Sequence, residues 1–153
     1  MLEGRCKCGS LSYKMKDKPM IVHCCHCSEC QNLTGTAFAL NAIIETDLVE
    51  VDGETNEVTL PTPSGHGQTL TRCAECGVTI YSSYLSRKGK LRYIRVGTLD
   101  NPGECPADVH IFTSSKLPWV QLSDAVPVYP DFYDMPGSWS EASQARWKQV
   151  FGD

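Results

Sequence analysis

The sequence predicts a mainly β protein built from antiparallel sheets with few short helices. Three observations carry that reading: strand-like alternation recurs along the chain, turn-forming pairs separate the alternating stretches, and helical patterns are sparse. Leu11-Ser12-Tyr13-Lys14-Met15-Lys16 alternates apolar and polar side chains with period two, the mark of a strand with one buried face. Phe38 to Ile44, Leu48 to Val51, Val58 to Leu60, Gln68 to Arg72, Val78 to Tyr81, Leu91 to Val96 and Val109 to Phe112 carry β-branched or aromatic residues between turn signals. Asp52-Gly53, Lys88-Gly89 and Asp100-Asn101-Pro102-Gly103 supply those turns.

Two short helices are expected. Ser28 with Gln31 three residues later resembles a capping box, which starts a helix over about 29–33 that Gly35 stops. Ser138 and Glu141 repeat the pattern before Ala142, Ala145, Arg146, Trp147 and Val150, and predict a terminal helix. The Pro-rich stretch from Ala125 to Pro136 is expected to wrap the sheet rather than pair in it. With no repeat, low-complexity tract or linker, residues 1–153 read as a single domain whose motif-bearing part is about 4–120.

A hydrophobic content of 41% and a charged content of 21% are ordinary, whereas nine cysteines in 153 residues are not. No stretch approaches the roughly 20 apolar residues of a membrane span. Met1-Leu2-Glu3-Gly4-Arg5 leads straight into polar sequence, so a cytoplasmic protein is expected. In a reducing compartment closely spaced cysteines are metal ligands or catalytic groups rather than disulfides, and the odd count agrees. The net charge of -4 and pI near 5.5 argue against nucleic acid, whose binders show a basic face. The one basic run, Arg87-Lys88-Gly89-Lys90, reads as a hairpin tip.

The cysteines fall into sets by spacing. Cys73-Ala74-Glu75-Cys76-Gly77 has the form of a zinc knuckle, in which a tight turn aims two thiolates at one ion and the glycine tolerates the unusual backbone. Cys6-Lys7-Cys8-Gly9 is the candidate for the other half, because a turn at Gly9 lets its two sulfurs converge. Together they make a four-cysteine structural clip. Cys25, Cys27 and Cys30 place three thiols within six residues. Closed zinc sites have four protein ligands and catalytic ones keep a position free, so three ligands point to chemistry. His23, His26 or Cys24 as a fourth ligand would make this a second clip. Cys24 and Cys105 otherwise read as small buried hydrophobes. His66 lies in a Pro/Gly-rich loop and reads as solvated. His110, among Val109, Ile111 and Phe112, reads as a core-edge imidazole bonded to backbone.

In order and spacing, Gly4-x-Cys6-x-Cys8-Gly9, Cys25-His26-Cys27-Ser28-Glu29-Cys30 leading to Gly35, and Cys73-x-x-Cys76-Gly77 resemble the GFA family. That family is named for glutathione-dependent formaldehyde-activating enzyme and shared with centromere protein V. His110-Ile111 followed by Trp119 is similar to its closing segment. The resemblance implies a β-tent fold of folded sheets clamped by zinc, with two Zn²⁺ per chain. Cys6, Cys8, Cys73 and Cys76 would hold the structural ion, and Cys25, Cys27 and Cys30 the catalytic one. Where family members often carry a basic residue directly after the third cysteine, Gln31 stands here.

The activity the resemblance implies is the interconversion of glutathione plus formaldehyde with S-hydroxymethylglutathione, a carbon-sulfur lyase reaction. A three-thiolate zinc suits it by favouring the thiolate of an incoming thiol. The expected partner is therefore a small molecule, glutathione or another thiol adduct. The alternative is a non-enzymatic module with two structural zincs that binds a thiol or protein partner. Chromatin binding by analogy with centromere protein V is disfavoured by the negative charge and the lack of a basic extension.

Overall fold

The alternation at Leu11 to Lys16 becomes a strand over Ser12–Met15: Tyr13 and Met15, with Leu11 just before them, are fully buried, while Lys14 and the following Lys16 face solvent. A computed structural model describes residues 1–152 of this mainly β chain, which divides into two compact units. The first unit comprises Met1–Pro19 and Ala42–Glu104; the second comprises Met20–Asn41 and the chain from Cys105 onward.

In the first unit, β1 (Leu2–Arg5), β2 (Ser12–Met15) and β5 (Val49–Asp52) form an antiparallel sheet in the order β1-β2-β5. Leu2 faces Met15, and Met15 faces Val49, so one apolar face runs across all three strands. Gly4 is where Tyr13 crosses β1: a Cβ there would run into the Tyr13 ring and the Thr98 carbonyl. The Tyr13 hydroxyl bonds Thr98 Oγ1 at 2.8 Å. An antiparallel meander follows, from β6 (Thr55–Leu60) through β7 (Gln68–Cys73) and β8 (Thr79–Tyr84) to β9 (Leu91–Arg95). The basic run caps the β8–β9 connection, with Lys88 in the left-handed region. Strand β4 (Ala39–Glu45) contributes Ala42, Ile43 and Ile44, all fully buried, to this unit.

The second unit is built on β3 (Ile21–Cys25), of which every residue is buried. The sequence reading missed it because a strand covered on both faces shows no alternation. It pairs in parallel with β10 (Val109–Ile111), setting His110 opposite Cys24 and Ile111 opposite Cys25. The Pro-rich stretch does not merely wrap. Val128 bridges His110 in parallel, His110 N donates to Pro127 O, and Tyr129 N donates to His110 O. Proline lacks only the donor, so Pro127 and Pro130 pair through their carbonyls.

Helix α1 (Ser28–Thr34) ends at Gly35, whose φ of 68° and N–H to Gln31 O make the expected stop. Helix α2 (Glu141–Phe151) is capped by Ser140 rather than Ser138, its hydroxyl accepting from Ser143 N. Ser143 Oγ in turn donates to Met20 O at 2.6 Å and ties the helix to the start of β3.

The Tyr133 hydroxyl joins tail to strand. It lies 2.6 Å from His23 Nε2 and accepts from Trp139 Nε1 at 2.6 Å, all three side chains being buried. Tyr133→Phe should therefore deprive two buried polar groups of a partner and cost about 2–4 kcal/mol. A lower urea midpoint at unchanged slope is the expected reading.

Candidate metal centres

The chain turns sharply after β1, with Gly9 at φ 81° and its N–H donating to Cys6 O, and this brings Cys6 and Cys8 together. A matching turn follows β7, where Gly77 sits at φ 74° and donates to Cys73 O. The sulfurs of Cys6, Cys8, Cys73 and Cys76 all lie within 4.8 Å of one another. Cys6 and Cys8 Sγ are 3.5 Å apart, and Cys8 and Cys73 Sγ are 3.7 Å apart. Four thiolates at about 2.3 Å from a tetrahedral zinc would sit about 3.8 Å from one another, so this donor set fits the ion nearly as it stands. Cys6 and Cys73 are buried, and Cys8 and Cys76 are exposed. Hydrogen bonds from Ser10 lower the Cys8 thiol from its ordinary value, and backbone N–H groups of Val78 and Cys8 lower that of Cys76.

Cys25, Cys27 and Cys30 converge at the junction of β3 and α1, their sulfurs within 4.8 Å of one another. Cys25 ends the strand, Cys27 precedes the helix and Cys30 lies in its first turn. The helix cap is Cys27 rather than Ser28: its Sγ accepts from Cys30 N at 3.3 Å. The three thiols cannot ionise independently. Hydrogen bonds from Cys25 and Cys30 pull Cys27 down to about 2, while its bond to Cys27 is the chief cause pushing Cys25 up to about 12, and Cys30 is raised as well. A soft cation would stabilise all three as thiolates, which is the sense in which this cluster fits zinc.

Gln31, in the position after the third cysteine, works inward. Its Nε2 donates to His26 O at 2.8 Å and to Ser115 O at 3.0 Å, fastening the cysteine loop to the turn after β10. Among the described residues no fourth Cys, His, Asp or Glu joins the trio within that same 4.8 Å. The three candidates for a fourth ligand are engaged elsewhere. His23 bonds Tyr133, and burial lowers its pKa to about 4. Cys24 and His26 belong to another group, with His110.

That group was missed in the sequence. Cys24 and Cys105 are buried and His66 is exposed, as expected. His110, however, bonds through its ring to another imidazole: its Nδ1 lies 2.9 Å from His26 Nε2. Cys24-x-His26 spacing was the available signal, but His110 joins only through the parallel pairing of β10 with β3. Trp119 is 71% exposed. No helix among the described residues is long and apolar enough to cross a membrane.

Comparison with solved structures finds similarity to a Rhodobacter sphaeroides protein of known crystal structure, at 18% identity and a TM-score of 0.48 over 82% of this chain and 98% of that one. The family model described as glutathione-dependent formaldehyde-activating enzyme matches residues 1–115, which include all seven clustered cysteines of the two sulfur-only sets. By that match the chain belongs to the GFA family.

Proposed function

We propose that this protein is a zinc-dependent carbon-sulfur lyase acting on a thiol adduct, with glutathione plus formaldehyde and S-hydroxymethylglutathione as its leading reactants. The observation that carries the reading is the three-sulfur cluster, Cys25, Cys27 and Cys30, with no fourth ligand beside it among the described residues. In this reading Cys6, Cys8, Cys73 and Cys76 hold a structural zinc and the trio holds a catalytic one. Bound zinc would supply a cation that favours the thiolate of an incoming thiol at neutral pH.

The chain's own contribution is placement. Cys25 is held by β3, Cys30 by α1, and Cys27, the one ligand of the three that is not buried, lies on the accessible side. Gln31 keeps the loop between them in register through its two carbonyl contacts. A cytoplasmic setting belongs to the same reading, since it would keep these thiols reduced.

Exchange spectroscopy by proton NMR tests the substrate pair. With zinc-loaded protein, interconversion of glutathione plus formaldehyde with the adduct should run well above the buffer rate. No gain over buffer would remove this pair as the reactants.

A further inference from the structure

Strand β3 and the two residues that follow it carry four side chains of metal-ligating type, Cys24, Cys25, His26 and Cys27. Successive side chains of a strand take opposite faces, so Cys24 and Cys25 diverge, and His26, just past the end of β3, groups with Cys24 while Cys27 groups with Cys25. The parallel register sets His110 opposite Cys24. Cys24 Sγ consequently lies 3.5 Å from His26 Nε2, which is 2.9 Å from His110 Nδ1, and all three atoms fall within 4.8 Å. Cys24 and His26 are buried, whereas His110 is half-buried.

We propose that Cys24, His26 and His110 form a third metal site, distinct from the two cysteine sites and suited to a borderline divalent ion such as Zn²⁺ or Co²⁺. One sulfur and two imidazole nitrogens are a donor set such ions accept. Bonds of about 2.3 Å to sulfur and about 2.0–2.1 Å to nitrogen place tetrahedral ligands about 3.3–3.6 Å apart. The Cys24–His26 separation of 3.5 Å already meets that spacing. The histidine pair must open by about half an ångström to reach it, and the His110 ring is the less buried of the two.

One feature sets the affinity. A ligating histidine ordinarily donates its other N–H to an acceptor, and loss of such a partner typically costs about 10–100-fold in binding. His26 Nδ1 is buried and has none. The third site is therefore the weakest of the three.

Titration with Co²⁺ of the reduced protein, isolated with its two cysteine sites already loaded with zinc, tests this, read by thiolate-to-cobalt absorption and by the count of each metal per chain. The expected result is three metal ions per chain, two zinc and one cobalt, with the cobalt removed by chelator before either zinc. His110→Ala should abolish uptake of that cobalt and leave the two zincs per chain in place. Cys27→Ser should perturb the trio and leave the third site in place. Saturation of the wild type at two metal ions per chain, or retention of three by His110→Ala, would overturn the proposal. Should His110→Ala lose its cooperative melt, Cys24→Ala is read by the same criterion. None of these readings depends on turnover, so they stand apart from the proposed activity.

Discussion

Replacing Cys73 with serine should lower stability by more than about 4 kcal/mol, the range reached when a protein loses a structural metal. The side chain is 1% exposed, and its sulfur is 3.7 Å from that of Cys8, which lies 65 residues away in sequence. In the proposed reading, loss of this ligand would leave three crowded thiols without a common ion and unfasten the turn after β1 from the end of β7. Binding of a structural zinc is worth about 10–16 kcal/mol in peptides that fold only with metal. The cost here is smaller because the first unit retains an apolar core of its own, with Leu11, Ile43, Ile80, Leu91 and Ile94 fully buried. Since whole domains are stable by about 5–15 kcal/mol, soluble yield should still collapse. Chemical denaturation is the measurement, and treatment of the wild type with a strong chelator should reproduce the effect. A variant that melts within a degree or two of the wild type would show that these four cysteines hold no structural ion.

Cys27→Ser should behave in the opposite manner: little change in stability and a fall in adduct interconversion of at least about 10³-fold. Loss of several kcal/mol of transition-state stabilisation by a metal corresponds to that factor, at about 1.4 kcal/mol for each tenfold. Stability is spared because Cys27 is also the cap of α1, accepting from Cys30 N, and serine is a better cap than cysteine. Cys27→Ala is the useful companion, since it removes both roles and should cost about 1 kcal/mol more than serine. If Cys27→Ser unfolds as completely as Cys73→Ser, and no adduct is turned over by the wild type, the trio is a second structural clip. The protein is then a non-enzymatic module.

How much of this was legible in the sequence depended on whether the determining interactions were local. The division of the cysteines into four and three could be read because Cys73-x-x-Cys76-Gly77 and Cys25 to Cys30 are short-range patterns with their glycines in place. The Gly35 stop and the strand through Leu11 to Met15 were legible for the same reason. Strand β3 was not, because burial on both faces erases the alternation that announces a strand. The caps shifted to Cys27 and Ser140 because the rule recognises the residue type, whereas the choice among neighbours is made by which side chain reaches the free N–H. The pairing of His26 with His110 spans 84 residues and follows from a parallel register that no local pattern encodes.

The two sulfur sets also differ in the order in which a chain can assemble them. Cys25, Cys27 and Cys30 leave the ribosome together and need only one turn of helix to meet. Cys8 must wait for Cys73, and closing a loop of 65 residues costs about 2 kcal/mol more in chain entropy than closing one of five. The trio can therefore come together on a nascent or refolding chain before the remote closure does. If the four cysteines hold zinc as proposed, that remote closure is the step at which metal starvation would lower the yield of folded protein.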